Sequence, residues 1–225
     1  REARFYGAIS FDGATFYGNG KTSDQNLWVT RFSYGASGRF LIQKHSSTGY
    51  LVKKVISRFT AIPQNNRNIS LYRYAFPVIR LADLYLMYAE ALNEYKAAPD
   101  AEVYEYIDLV RNRTGLDGVV ESWANHSISP EKPATKEGMR EIIQRERMNE
   151  LAFEGARFWD LRRWKLSEEY MNRPIRGLSI LEEELNEFYK VQEIFTRRFE
   201  KKDYLWPIKQ STLTKNSNLL QNPGW

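Results

Sequence analysis

The sequence contains no cysteine, and this absence removes several functional classes. A disulfide framework, a thiolate metal site and a cysteine nucleophile are all excluded. The chain has only two histidines, His45 and His126, and neither has a nearby set of ligands at the spacing of a zinc site. No loop has the spacing of a dedicated calcium site. The sequence therefore predicts no metal site and no cofactor, and a calcium site built from loop Asp and Asn oxygens stays open as an alternative.

Long apolar runs and basic stripes are also missing. No stretch approaches the roughly 20 apolar residues that a transmembrane helix needs. The net charge of +5 comes from basic residues spread among acidic ones, without the interleaved aromatics of a nucleic-acid surface. What remains is a chain of 225 residues with 42% hydrophobic content, enough to build a substantial core.

Two regions differ in pattern. Residues 1–76 are rich in Gly, Ser, Tyr and Phe, and short alternating runs at 5–9 and 50–55 predict strands between turns. A turn is predicted at 16–20. Residues 77–225 have mainly helical patterns.

Three helices are predicted in the second region. The first opens at Pro77 and runs to about residue 94, and the second covers about 100–114 and stops at Gly115. Thr135 caps the third, which extends at least to Phe158. The stretch 118–133 is predicted as a polar loop, and 188–196 and 203–208 as short strands.

Charged residues fall in the centre of the apolar face of the third predicted helix. At about 100° per residue, they share a direction with Met139 and Ile142. Buried charges must be paired, so two interpretations follow: a carboxylate pair for acid–base hydrolysis, or a structural network of arginines and carboxylates. The shared helix and many arginines favour structure, and no catalytic residue is assigned. The predicted network comprises Arg80, Glu90, Glu146, Glu150, Glu154, Arg157 and Asp160.

Three blocks of sequence resemble the SusD/RagB family. They are PVIRLADLYLMYAEALNE at 77–94, ERMNELAFEG with RFWDLRRW at 146–155 and 157–164, and LWPI with NLLQNPGW at 205–208 and 218–225. The blocks follow the family order, and the resemblance implies that residues 1–76 and 77–225 together form the C-terminal portion of a larger protein. The resemblance implies a mostly helical fold with irregular loops and short β-hairpins, whose tetratricopeptide-like helical pairs lie mainly earlier in the full-length protein.

The resemblance also implies a function. Family members are surface lipoproteins of Gram-negative bacteria, held on the outer membrane by a lipidated N-terminal cysteine. They bind glycans or oligosaccharides without cleaving them and cover a SusC-like TonB-dependent transporter. We therefore expect a non-enzymatic nutrient-binding protein with these two partners, and with neither the anchor nor most of the N-terminal helices in this chain.

Sugars are bound by stacking on aromatic rings and by polar side chains. In the family, such loops include those before the first block, which points to residues 1–70 here. Trp28 is the only tryptophan in that stretch and is the first candidate, and Trp123, on the polar loop, is the second choice. The remaining candidates from 1–70 are Tyr6, Phe16, Tyr17, Asp24, Asn26, Arg31 and Tyr34.

Other functions stay open at this point. Arg31, Arg39 and Lys44 are compatible with a relative that takes up peptides or amino sugars. A helical scaffold for protein interaction and a glycoside hydrolase are alternatives from other classes. Release of reducing ends that depends on Glu146 or Glu150 would indicate the hydrolase.

Overall fold

The computed structural model describes residues 2–16, 28–35, 46–60 and 70–225. Within them the chain is mostly helical, with short antiparallel strand pairs, which confirms the predicted fold class. The α-helices are α1 (Ala3–Ala8), α2 (Leu81–Tyr95), α3 (Ala101–Asn112), α4 (Val119–His126), α5 (Lys136–Glu150), α6 (Ala156–Arg163), α7 (Ser167–Met171), α8 (Leu185–Phe188) and α9 (Gln210–Lys215). Among the described residues, 3-10 helices cover Lys132–Ala134 and Lys201–Tyr204.

The main core lies between α2, α3, α4 and α5. Leu86, Ile107, Met139 and Ile143 are fully buried there. Each such side chain stabilises the fold by roughly 1.5–3 kcal/mol relative to an exposed position. The helical spacing of these apolar residues places them on inward faces, as expected for amphipathic helices.

Local signals set the helix ends. Asp100 accepts a hydrogen bond from Val103 N at 3.3 Å, and Thr135 accepts one from Gly138 N at 3.1 Å. Each satisfies an amide that the first helical turn leaves unpaired. Pro77, predicted to open the first helix, lies outside it, because the backbone of Arg80 is extended and α2 begins only at Leu81.

The prediction of one continuous third helix is wrong. Helix α5 ends at Glu150, and five turn residues precede α6. Phe153 and Gly155 have φ angles of 66° and 82°, a left-handed conformation that cannot continue a right-handed helix. The single charged face predicted for residues 146–157 is therefore divided between a helix end, a turn and a new helix.

Strand pairing is short. β1 (Ile9–Ser10) pairs with β4 (Leu51–Val52), β2 (Thr15–Phe16) with β3 (Trp28–Val29), and β5 (Pro174–Leu178) with β6 (Val191–Thr196). The strand predicted at 5–9 is mostly α1, and that at 203–208 begins within a 3-10 helix. The loop predicted at 118–133 contains α4, and residues 185–188 form α8 before β6.

A second, smaller core joins the N-terminal segment, which we define as the described residues between 2 and 60, to the β5–β6 sheet. Phe32 packs with Leu178, Ile180 and Phe188, and Tyr50 packs against this cluster. Gly177 allows the close approach, since an added Cβ would lie 2.7 Å from the Cα of Thr48. No helix in the described ranges is long and apolar enough to cross a bilayer.

Candidate functional site

Two carboxylates near the end of α5 lie inside the protein. The side chains of Glu146 and Glu150 are 6% and 2% exposed. They are one helical turn apart, so they face the same direction. Two buried negative charges at this spacing repel each other, and cations must surround them.

Three arginines from different parts of the fold bind Glu150. Arg80, the N-cap of α2, donates to Oε1 at 2.9 Å. Arg113, the C-cap of α3, donates to both oxygens at 2.7 and 2.9 Å. Arg4 of α1 donates to Oε2 at 3.3 Å. This one carboxylate therefore connects α1, α2, α3 and α5.

Glu146 is paired through two arginines. Arg4 Nη1 lies 2.6 Å from its Oε1, and Arg111 Nη1 lies 3.3 Å from its Oε2. The Arg4 contact is an ion pair and not a hydrogen bond, because no N–H group of the described residues points at Glu146 Oε1 with hydrogen-bond geometry. Burial lowers the pKa of Arg4, but the hydrogen bond with Glu2 and the negative charges of Glu146 and Glu2 outweigh burial and raise that pKa above its ordinary value.

Glu154, in the turn after α5, extends this cluster. Arg80 binds it through Nε and Nη2 at 2.8 and 2.7 Å, and Lys54 forms an ion pair with it. Burial raises the pKa of Glu154, but the hydrogen bonds from Arg80 and Lys54 outweigh it and hold the pKa below the usual carboxyl range. We call Arg4, Lys54, Arg80, Arg111, Arg113, Glu146, Glu150 and Glu154 the ionic network.

A second set of ion pairs connects α2, α5 and α6. Arg147 donates to both oxygens of Asp160 at 3.1 and 3.2 Å and to Asp83 at 2.9 Å. Arg163 donates to Asp160 at 2.9 Å and to both oxygens of Glu90 at 2.5 Å. The structure thus places Asp160 and Glu90 in contact with arginines.

Arg157 lies apart from both sets. Its guanidinium lies over the ring of Tyr170, 4.7 Å from the centroid, and no carboxylate of the described residues lies within ion-pairing distance. The prediction grouped Arg157 with the carboxylates on one helix face. The break between Glu150 and Ala156 turns it to the other side, towards α7.

The chemistry of the ionic network is that of a structural clamp. A general acid needs a carboxyl pKa raised towards the working pH. Glu154 has the opposite shift, because the cations beside it stabilise its charged form. Glu150 accepts from three arginines. Arg4 and Lys54 also attach the N-terminal segment to α5, since Lys54 Nζ donates to Glu150 O at 2.6 Å.

Two candidate ligand residues in the N-terminal segment have exposed rings. Tyr6 of α1 is 50% exposed and packs edge-on against Phe5 and Phe11, with centroids 5.4 and 5.8 Å away. Tyr34 is also 50% exposed, and its backbone N donates to Glu182 O at 3.0 Å. Both rings are accessible to a ligand and lie on anchored backbone.

The structure describes only some of the remaining candidates in this segment. The backbones of Phe16 and Trp28 stand opposite each other in the β2–β3 pair. Arg31 donates to Asp12 Oδ2 at 3.2 Å. The predictions at Tyr17, Asp24 and Asn26 lie outside the described residues.

Trp123 lies in α4, far along the chain from the other candidates. Its ring is partly buried against the main core, and Lys132 Nζ lies 5.3 Å from the ring centroid. The ring also borders a cavity between α4 and α5. Trp123 is therefore partly a packing residue.

Comparison with known proteins decides the family. The model of the SusD family matches residues 1–225. The chain belongs to the SusD family. SusD-like protein P2 of Formosa agariphila is 32% identical over 169 residues, which cover 75% of this chain and 29% of that protein.

Solved SusD-like structures share the fold. A SusD-like protein of Bacteroides fragilis is 28% identical with a TM-score of 0.71, and covers 100% of this chain and 39% of its own. A SusD-like carbohydrate binding protein of the same species is 26% identical with a TM-score of 0.65. The match covers 98% of this chain and 42% of that protein's chain. This SusD-family chain spans well under half the length of these relatives.

The blocks that resemble the SusD family hold the fold together. The first two contain Arg80, Glu150 and Glu154 of the ionic network. The two halves of the third bind each other. Gln221 bonds both the N–H and the C=O of Ile208, at 2.8 and 2.9 Å, and Asn222 donates to Trp206 O at 2.7 Å.

Asp12 is a residue that the sequence analysis missed. Its buried carboxylate accepts from Phe32 N at 3.0 Å, from Arg31 at 3.2 Å and from Tyr189 OH at 2.9 Å. Burial and this hydrogen bond raise the pKa of Tyr189. The Asp12–Gly13 pair signals a turn, and Gly13 has a φ of 87°, but nothing local indicates partners so distant in the chain.

Proposed function

We propose that this SusD-family protein captures glycans at the bacterial cell surface and delivers them to a SusC-like TonB-dependent transporter without cleaving them. A lipid anchor on the full-length protein would hold it at the outer membrane. The observation that carries the proposal is the family match over all 225 residues. The SusD-like carbohydrate binding protein of Bacteroides fragilis, whose fold this chain shares, supports the ligand class.

The N-terminal segment is the proposed binding region. Exposed aromatic rings stack on the apolar faces of sugars while nearby polar groups bind hydroxyls. Tyr6 and Tyr34 supply such rings, and Trp28 lies in the adjacent β3 strand. Arg4, Lys54 and Asp12 hold the backbone of this segment against the rest of the protein. Anchoring of this kind reduces the entropy lost on binding.

Affinity electrophoresis tests the proposal. The protein is run through gels that contain a panel of plant, host and microbial polysaccharides. We expect retardation by at least one of them and loss of that retardation in the Trp28→Ala and Tyr34→Ala variants. Tyr95→Ala is the matched control, since Tyr95 is an 88% exposed aromatic on α2. Absence of retardation by every polysaccharide would contradict glycan capture, and unchanged retardation of both variants would contradict the proposed region.

A further inference from the structure

A cavity of about 270 Å³ lies against α5. Trp123 of α4, Arg157 of α6 and Tyr170 of α7 border it, together with Gln144 and Arg145 of α5. The volume is near the lower end of the roughly 300–1,000 Å³ typical of ligand pockets. It therefore suits a single sugar ring rather than a longer chain.

The two arginines of this cavity differ from those of the ionic network. Arg4, Arg80 and Arg113 each contact a carboxylate. Within the ranges that the structure describes, Arg145 has neither a hydrogen bond nor an ion pair from its side chain, and Arg157 contacts only the ring of Tyr170. The lining also contains Lys132 and Glu141, which pair with each other at 2.5 Å. The lining therefore carries a net positive charge from Arg145 and Arg157.

Contact with an aromatic ring holds one of these cations in place. Arg157 is held over Tyr170, and Arg173 contacts the same ring at 4.2 Å from its centroid. Because these contacts are with an aromatic ring, they leave the guanidinium N–H groups able to bind an anion. Gln144 offers an amide for hydroxyl groups. A guanidinium binds carboxylate and sulfate through paired N–H donors.

We propose that this cavity binds the anionic group of an acidic sugar, a carboxylate or a sulfate ester on a single ring. Arg145 and Arg157 bind the anion, and Gln144 and the edge of Trp123 contact the ring. The inference rests on the proposed function, since it names a class of glycan that the protein takes up. The site is separate from the aromatic residues of the N-terminal segment, and it selects among glycans by charge.

Isothermal titration with matched ligands tests this inference. The ligands are trigalacturonate, its methyl ester, and a sulfated galactose trisaccharide with its unsulfated form. We expect at least one acidic ligand to bind about tenfold more tightly than its neutral partner, the effect of one charge-assisted contact. The Arg145→Gln/Arg157→Gln variant should lose this ratio. Arg145→Gln alone removes no hydrogen bond or ion pair among the described residues, so a partial loss of the ratio in this variant tests the site with little effect on the fold.

The control variant is Arg176→Gln, which changes an exposed arginine on β5. It should keep the preference for the acidic ligand. Equal affinity for both acidic ligands and their neutral partners would overturn the inference and leave glycan capture standing. A preference for the acidic ligand that survives in the Arg145→Gln/Arg157→Gln variant would also overturn the inference and leave glycan capture standing. If neither these ligands nor any polysaccharide of the gel panel binds, the proposed function fails as well.

Discussion

The helical block from α2 to α6 and the N-terminal segment at 2–60 are stabilised in different ways. The helical block surrounds a core of fully buried apolar side chains such as Leu86, Ile107 and Ile143. Among its described residues, the N-terminal segment has strands of only two residues and few buried large side chains. Polar groups hold it together with the small core around Phe32: Asp12 binds Phe32 N, and Ser46 Oγ bonds the N–H and C=O of Tyr50 at 3.1 and 2.6 Å.

This difference separates the roles of scaffold and binding surface. Apolar burial stabilises the helices through the total area removed from water, so no single contact is decisive. The N-terminal segment depends on a few specific anchors, and Arg4 and Lys54 bring it to the buried carboxylates of α5. Loops presented on a rigid scaffold are free to vary and to bind ligands. The ionic network is the connection between the two regions.

The largest effect is expected when that connection is broken. Glu150→Ala leaves Arg4 and Arg80 facing an empty site beside Glu146. Removal of one member of a buried ionic group costs about 3–5 kcal/mol. Urea unfolding followed by circular dichroism measures this loss.

Arg157→Ala is the matched comparison for this prediction. Its guanidinium contacts an aromatic ring and no carboxylate among the described residues, so the loss should be about 1 kcal/mol or less. Equal losses of unfolding free energy in the two variants would show that the buried carboxylate of Glu150 contributes no more than an aromatic contact, which would contradict its role as a clamp.

The next effect concerns the core alone. Leu86→Ala removes a fully buried side chain from α2 and should lower the free energy of unfolding by about 2–5 kcal/mol. Leu84→Ala, at a 48% exposed position of the same helix, should change it by only about 0.5 kcal/mol. Similar thermal unfolding of the two variants would argue against the assigned core.

An intermediate effect, local to the N-terminal segment, is expected at Asp12. Asp12→Ala leaves Phe32 N–H without its partner, at a cost of about 1–3 kcal/mol. Hydrogen–deuterium exchange should speed up at 28–35 and stay unchanged in α2 and α5. Faster exchange throughout the helices would mean that the two regions unfold as one unit.

The smallest effect is the pH dependence at Glu154. Because its pKa is lowered in the folded protein, the stability it adds is present above the ordinary carboxyl pKa of about 4.3 and is lost as the pH falls through the lower folded value. The stability difference between the natural protein and Glu154→Gln should therefore be about 1 kcal/mol or less at pH 7 and should shrink progressively as the pH falls below about 4.3. A difference that stays constant across this range would contradict the lowered pKa.

Helices α2 and α3 and the start of α5 can be predicted from the sequence, because apolar periodicity and the capping residues Asp100 and Thr135 are local signals. Helices α1 and α4 cannot, since a strand and a loop are predicted in their place. The break after Glu150 cannot be predicted either, since Phe153 adopts a left-handed conformation that its residue type disfavours. Charges on an apolar face indicate a buried network. Two of its cations, Arg4 and Lys54, lie about a hundred residues or more before Glu150 in the chain. Contacts this distant depend on the completed fold.

Glycan capture without cleavage is the central claim, and one experiment measures both parts. The protein is incubated with each polysaccharide that retards it in gels, and reducing ends are counted over time alongside a Glu150→Gln variant. We expect binding with no reducing ends above those of the polysaccharide alone. Steady release of reducing ends by the natural protein, abolished in Glu150→Gln, would contradict the account and make α5 the site of a hydrolase.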